Sequence, residues 1–313
     1  MEFCQINKIT MRKNIISKTV TIAIPAHNEE KNIASLLNSI LLQKGNNFKM
    51  DKIIVACDGC TDKTSEIVSA FTKLSPMVKL LNDRKRLGKN TRLNKFYADL
   101  TSDILISFDA DITITDLFLV SKIVAAFNDK KIGLIGGRVN HTSENNFVGK
   151  SLLAQEYFWS KVIASITNGN NVHSHTGPIS AAKKEFIKKI RIPKDLPDDH
   201  FLYFKALENN FSYKYVKDAS VFIKTPATLN DYMKQSTRFL SSAQNIKKYF
   251  GDWVQNYYYI PYQVKLKAYL ITFVKNPVYL PTALMIVSFQ RILSFKYLEK
   301  NNIGIWTSIE TSK

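Results

Sequence analysis

Asp103-Ile-Leu-Ile-Ser-Phe-Asp-Ala-Asp111 is the stretch from which the fold can be read. The run from Ile104 to Phe108 offers no charged face, as expected for a strand covered on both sides. It then ends in two acids two residues apart. In extended backbone such residues project to the same side, so Asp109 and Asp111 are expected to share one small volume. Two carboxylates that close raise each other's pKa unless a cation is present. Mg²⁺ or Mn²⁺ resolves the conflict, and Mg²⁺ favours one or two carboxylates together with substrate phosphates. A D-x-D alone occurs by chance in many loops; directly after a buried strand it points to a metal-assisted site.

Upstream, short β-branched runs alternate with segments of helical period. Thr19-Val-Thr-Ile-Ala-Ile-Pro25 predicts a strand, and residues 28–43 a helix with Ile33, Leu36, Leu37, Ile40 and Leu41 on one stripe. Residues 51–57 predict a strand, 61–74 a helix capped by Thr61 or Asp62, 77–81 a strand and 88–100 a helix. This alternation predicts an α/β fold, with a mostly parallel sheet flanked by helices. Ligands bind such sheets beyond the carboxyl ends of the strands. The residues found there are Pro25-Ala-His27-Asn28-Glu29, then Asp58-Gly59, then Asp109 and Asp111.

Downstream, residues 147–168 read as a helix and 172–182 as extended chain, with His173 and His175 able to share a face. Residues 199–209 read as a helix, 212–216 and 219–223 as a strand pair, and 229–250 as a long helix. Gly136-Gly137 and Gly177-Pro178 read as turn punctuation. After Trp253 the character changes: tyrosines 257, 258, 259, 262, 269 and 279 are interleaved with Lys265, Lys267 and Lys275. Aromatics edged by lysines fit an amphipathic segment lying in a membrane interface, and packing on the core is the competing reading. Three units are expected: a basic lead over residues 1–18, a catalytic domain over 19–250 and a membrane-associated tail over 251–313.

The chain has 313 residues, 45% of them hydrophobic, and a formal charge of +18. That charge calls for a polyanion, an anionic membrane face or phosphorylated substrates. Six basic residues lie between Asp83 and Lys95, and six more between Lys183 and Lys194. Three cysteines, Cys4, Cys57 and Cys60, make no disulfide framework, so a reducing compartment is expected. The first residues show no apolar run or cleavage site, so no secretory leader is expected.

Gly88-Lys89 opens a helix whose N-terminus could face a diphosphate. It is not a P-loop, because the upstream glycine and the following Ser/Thr are missing. No G-x-G-x-x-G follows the first strand either.

Taken in order, TIAIPAHNEE, IIVACDGCTDKT, RLGKNTRLNK and ILISFDADI resemble the nucleotide-sugar half of the family-two glycosyltransferases. HTGPISAAKKEF resembles that family's acceptor-side segment, LPDDHFLYFKALENNFSYKYV the segment with the catalytic acid, and Gln235-Ser-Thr-Arg238-Phe239 its Q-x-x-R-W motif. The resemblance spans about residues 19–239. It implies a Rossmann-like GT-A fold and inverting transfer of a sugar from a nucleotide-diphosphate donor, a uridine nucleotide first, to a lipid-linked or saccharide hydroxyl. It implies that Pro25, His27 and Glu29 line the base and ribose pocket, that Asp58 bonds the base or ribose, and that Lys89 lies near the nucleotide. Asp109 and Asp111 would take Mg²⁺ or Mn²⁺, Asp111 as ligand and Asp109 at the ribose or metal-bound phosphate. Asp199 would be the general base, Arg238 would steady the leaving diphosphate, and Gln235 shares its helix face.

Three positions depart from the pattern. Asp198-Asp199 stands where Glu-Asp is common, which leaves two candidates for the base. Cys60 stands for serine, and Phe239 stands for tryptophan, losing the indole N–H. The expected setting is the cytoplasm, with peripheral attachment to the inner membrane face and no nucleic acid; the oligomeric state is not readable. The competing class is a basic membrane- or nucleic-acid-binding protein with a degenerate nucleotide-sugar site.

Overall fold

The computed structural model describes residues 17–240 and 242–298. Most of the expected basic lead, Cys4 and the last fifteen or so positions of the tail lie outside the described residues. Seven strands form one sheet: β1 (Lys18–Ala26), β2 (Phe48–Asp58), β3 (Val78–Asp83), β4 (Ile104–Phe108), β5 (Ile132–Thr142), β6 (Ile179–Lys183) and β7 (Ser212–Lys224). Their order is β3-β2-β1-β4-β6-β5-β7. All pairings are parallel except those of β6, which runs antiparallel to both β4 and β5.

Period-two alternation splits the core into two layers. On β1 and β4, Ile22, Ile24, Ile104 and Ile106 face one layer, while Ala23 and Leu105 face the other. The first layer is filled by α1 (Ile33–Leu41), α2 (Thr64–Leu74) and α4 (Leu119–Ala126). The second is filled by α3 (Lys89–Ala98), α6 (Lys184–Ile187), α7 (Asp198–Glu208) and α9 (Ser242–Phe250). The chain turns back between β3 and β4, so the crevice of the sheet opens between the carboxyl ends of β1 and β4.

The structure corrects several expectations. The first helix starts at Ile33 rather than at residue 28, because Asn28 (φ 55°) and the two glutamates after it bond the loop following β2 instead. Residues 212–224 form one strand, not a pair; β7 bulges where Gly137 and Arg138 of β5 face Val216 and Ser220. Gly136 and Gly137 lie within β5 and are not a turn. A Cβ on Gly137 would stand 2.6 Å from Ile179 Cδ1 and 2.7 Å from the Ala219 carbonyl, so close packing fixes glycine there. His173 sits in a 3₁₀ turn (Val172–Ser174) and does not share an extended face with His175.

The remaining helices are α5 (Phe147–Ser165), α8 (Leu229–Leu240), α10 (Gln255–Tyr258), α11 (Tyr262–Lys275) and α12 (Tyr279–Leu298). The expected boundary after residue 250 cuts through packed structure. Val254 is fully buried, and Trp253, Tyr257 and Tyr258 pack edge-on or tilted around Phe204 of α7. α11 and α12 both lie against α5. No helix among the described residues is long and apolar enough to cross a membrane.

Gly137→Ala should destabilise the protein by about 1–3 kcal/mol, since a backbone carbonyl stands where the methyl must go. Urea unfolding followed by circular dichroism measures this, and an unchanged midpoint would remove the packing explanation for the glycine.

Candidate active site

The loops after β1 and β2 are laced together. Thr61 N–H donates to Asn28 Oδ1 (2.8 Å), Glu29 N–H to Thr64 Oγ1 (2.7 Å) and Glu30 N–H to Asp62 Oδ2 (3.0 Å). His27 Nδ1–H donates to the Asp58 carbonyl at 2.8 Å. These bonds hold Pro25, His27 and Glu29 on the rim of a cavity of about 580 Å³ at the carboxyl edge of the sheet.

Asp58 is buried, and protein donors occupy its carboxylate. It accepts the backbone N–H groups of Leu87 and Gly88, each at 2.8 Å, and Nε of Arg92 at 2.7 Å. Arg92 also pairs with Asp83. Burial pushes the Asp58 pKa up, but these bonds outweigh it and hold it below its ordinary value. The two N–H groups just before the first turn of α3, those of Leu87 and Gly88, are taken by Asp58.

Lys89 reaches inward from the first turn of α3. Its Nζ lies 2.7 Å from Asp109 Oδ1 and 3.1 Å from Asp198 Oδ2. Burial opposes the ammonium, yet Asp109 and Asp198 outweigh it and keep its pKa raised. Gly177 lies against this group: a Cβ there would stand 2.8 Å from Lys89 Nζ and 3.2 Å from Asp109 Oδ2. Close approach, more than turn punctuation, accounts for that glycine.

Asp109 and Asp111 flank a turn just past β4 and so converge through that turn, not through extended-strand periodicity. Burial, then Asp109, then Glu29 push the pKa of Asp111 up to about 7. Among the described residues no group of three or more His, Cys, Asp or Glu could hold a metal unaided. Two crowded carboxylates, one strongly raised, fit a divalent cation whose other ligands are phosphate and water.

The two candidate bases differ in setting. Asp198 is buried against Lys89, and burial, outweighing the lysine, raises its pKa. Asp199 lines the cavity, and its backbone carbonyl accepts Nδ1–H of His175 at 2.7 Å. Nε2 of His175 then accepts the Ser180 hydroxyl at 2.9 Å. Burial lowers the His175 pKa to about 4, so the ring is a neutral brace for the start of α7.

Gln235 of α8 also lines the cavity. The side chains of Arg238 and Phe239 lie outside the described residues. Other walls were not read from sequence: Gln155, Glu156 and Trp159 of α5, and Gln290 and Arg291 of α12. The polar pair Gln155-Glu156 in the middle of α5 was the available signal.

Residues 21–191 match the family model described as glycosyl transferase family 2. The chain belongs to that family. It is 23% identical over 244 residues to the probable glycosyltransferase YdaM of Bacillus subtilis, covering 72% of this chain and 56% of that protein. It is 26% identical to the 4,4'-diaponeurosporenoate glycosyltransferase of Staphylococcus aureus, over 56% of this chain and 47% of that one. The chain spans about half the length of the curated relatives it matches. The solved mannosyltransferase PcManGT from Pyrobaculum calidifontis, in complex with GDP-Man and Mn²⁺, superposes with a TM-score of 0.59 at 18% identity, covering 90% of this chain and 79% of that one. The family and the mixed α/β GT-A architecture thus agree with the resemblance carried by the motifs.

The raised Asp111 has a pH consequence. Its folded pKa, about 7, lies above the ordinary 3.8. The folded protein then binds the proton more tightly than the unfolded chain, and stability falls as pH rises from about 4 to about 7. In metal-free protein at pH 8, Asp111→Asn should be more stable than the parent by roughly 2 kcal/mol after solvent screening, with little difference at pH 4. Urea titrations in EDTA at the two pH values test this; equal stability at both would show that Asp111 ionises freely.

Proposed function

We propose that the protein is an inverting glycosyltransferase that moves a sugar from a nucleoside-diphosphate donor to an acceptor hydroxyl at a membrane surface. The observation that carries the reading is the cavity itself. One crevice at the switch point of the sheet gathers Asp109, Asp111, Lys89 and Asp199, with Pro25, His27 and Glu29 on its rim.

The donor's base and ribose would lie along the β1 loop and its diphosphate beside Asp109, Asp111 and Lys89. A divalent cation held by Asp111 and Asp109 would neutralise charge on the departing diphosphate. The Asp199 carboxylate would take the proton of the acceptor hydroxyl as that oxygen bonds the anomeric carbon. The bond from the anomeric carbon to the phosphate oxygen breaks with the electron pair leaving on the nucleoside diphosphate. A single displacement of this kind inverts the anomeric centre. Asp198, neutralised against Lys89, would hold that lysine and leave Asp199 as the base. Arg238, on the same helix as Gln235, would meet the leaving diphosphate.

The membrane part of the reading rests on α11 and α12. Leu266, Leu270, Phe273 and Val274 form an exposed stripe on α11, and Met285, Phe289 and Ile292 are exposed on α12. A surface helix in water carries a polar outer face, and these do not. Lys265, Lys267 and Lys275 border the stripe, which suits an anionic bilayer face.

Calorimetric titration with UDP, then GDP, should show binding with Mn²⁺ that EDTA or Asp111→Ala abolishes. Asp199→Asn should keep that binding yet lower transfer at least about a hundredfold. If no nucleoside diphosphate binds under any metal condition, the transferase reading falls and a basic binding protein takes its place. In flotation with phosphatidylglycerol vesicles the protein should rise, and Leu270→Glu with Val274→Glu should abolish this while leaving UDP binding intact. Equal flotation of both proteins would remove the membrane face.

A further inference from the structure

A second, larger cavity of about 1340 Å³ opens from the first. It runs between α5, the 3₁₀ turn at Val172–Ser174 and the outer edge formed by β5 and β7. The two cavities meet at Glu156, Trp159, Thr176 and Asp199, which line both. The carboxylate assigned to proton removal thus stands where the donor cavity gives way to this groove.

Two independent features of the groove point to its occupant. The first is unmet hydrogen-bonding capacity. Thr176 Oγ1 and His173 Nε2 are both buried from solvent and, among the described residues, have no hydrogen-bond partner. Buried polar atoms are nearly always paired, and an orphan costs about 1–3 kcal/mol. His173 bonds the Tyr258 backbone through its ring and is held neutral by burial. Its free nitrogen can therefore accept a hydroxyl proton, and Thr176 can donate or accept. A hydroxyl-bearing ligand satisfies both.

The second feature is charge. Arg138 of β5 and Lys214 and Lys217 of β7 line the groove, all exposed and, among the described residues, none in an ion pair. Other charges there are already engaged: Lys122 is tied to Asp116 at 2.6 Å, Glu156 lies 3.3 Å from His141, and Lys161 sits 4.6 Å over the Tyr157 ring. Apart from Asp199 at the junction, the remaining acid is Asp218, next to Lys217. The rim beside the groove is also fixed. Thr167, Asn168 and Gly169 take φ of 46°, 52° and 85° in succession, a turn held by Asn171 Nδ2–H donating to the Ile163 and Ile166 carbonyls.

We propose that this groove is the acceptor site and that the acceptor carries a phosphate. Arg138, Lys214 and Lys217 hold the phosphate, while Thr176 and His173 bond the hydroxyl-bearing part and present it to Asp199. The inference rests on the transferase reading for the role of Asp199, but its binding chemistry stands on the groove alone.

The test uses the full chain saturated with UDP and Mn²⁺, so that the donor cavity is filled. Glycerol 3-phosphate is titrated against glycerol as the uncharged match. Glycerol 3-phosphate should bind at least tenfold more tightly than glycerol. The triple variant Arg138→Gln, Lys214→Gln, Lys217→Gln should lose that preference while its affinity for UDP stays within twofold. Thr176→Val should weaken both probes. Vesicles containing phosphatidic acid, but not phosphatidylcholine alone, should displace glycerol 3-phosphate if the phosphate is a lipid headgroup; no displacement assigns it to a soluble acceptor. No preference for the phosphate, or a preference the triple variant keeps, overturns the proposal. Failure of UDP with retained glycerol 3-phosphate binding overturns the transferase reading and leaves the groove standing.

Discussion

The ammonium of Lys89, held between Asp109 and Asp198, ties the first half of the chain to the second by charge at the carboxyl edge of the sheet. Asp109 follows β4 and belongs to the nucleotide half; Asp198 opens α7 and belongs to the second half. A lone buried charge would be too costly to keep, and two buried carboxylates without a cation would repel. Together the three groups offset one another's desolvation, and removing the lysine leaves both carboxylates without their cation. The constraint extends to Gly177, where a side chain would displace the lysine. Lys89, Asp109, Gly177 and Asp198 are far apart in sequence, yet each position is set by the other three.

Two aspartates on this edge show how environment divides structural acids from ligand-seeking ones. Asp58 has backbone and guanidinium donors on both oxygens, so it is ionised and has little capacity left for a ligand. Asp111 has the opposite surroundings. Burial and the carboxylates of Asp109 and Glu29 outweigh its own backbone N–H and the more distant charge of Lys89. Its pKa is raised where that of Asp58 is lowered, so the balance of protein donors and acids around each carboxylate separates the two settings.

The parallel half of the sheet was legible because its strands are short, doubly buried and separated by helices of clear period. The site residues on the β1 and β4 loops followed from the rule about carboxyl ends. Legibility failed where tertiary contacts override local pattern. Gly136-Gly137 reads as a turn unless one knows that Tyr213, Ile179 and Ala219 crowd them. Two short apolar runs read as two strands although one bulged strand, β7, joins them. His173 and His175 are separated by a 3₁₀ turn that no periodicity announces. That Asp198 is paired with Lys89 while Asp199 lines the cavity depends on a residue more than a hundred positions upstream. The cavity wall from α12 was invisible for a further reason: that segment was read as tail.

α12 is the element whose two faces make opposite demands. Leu280 and Ala283 are buried, and one turn or two further along Gln290 and Arg291 wall the donor cavity. On its other side Met285, Phe289 and Ile292 stand exposed. A helix apolar on both sides is at home when both are covered. Gln290 and Arg291 belong to the same helix as that outer face, so any shift of α12 that hid Met285, Phe289 and Ile292 would also move this wall of the cavity. Under the membrane reading, a bilayer would stabilise the same arrangement of α12 that completes the cavity, and the donor site would be most ordered where an acceptor at that surface could reach it.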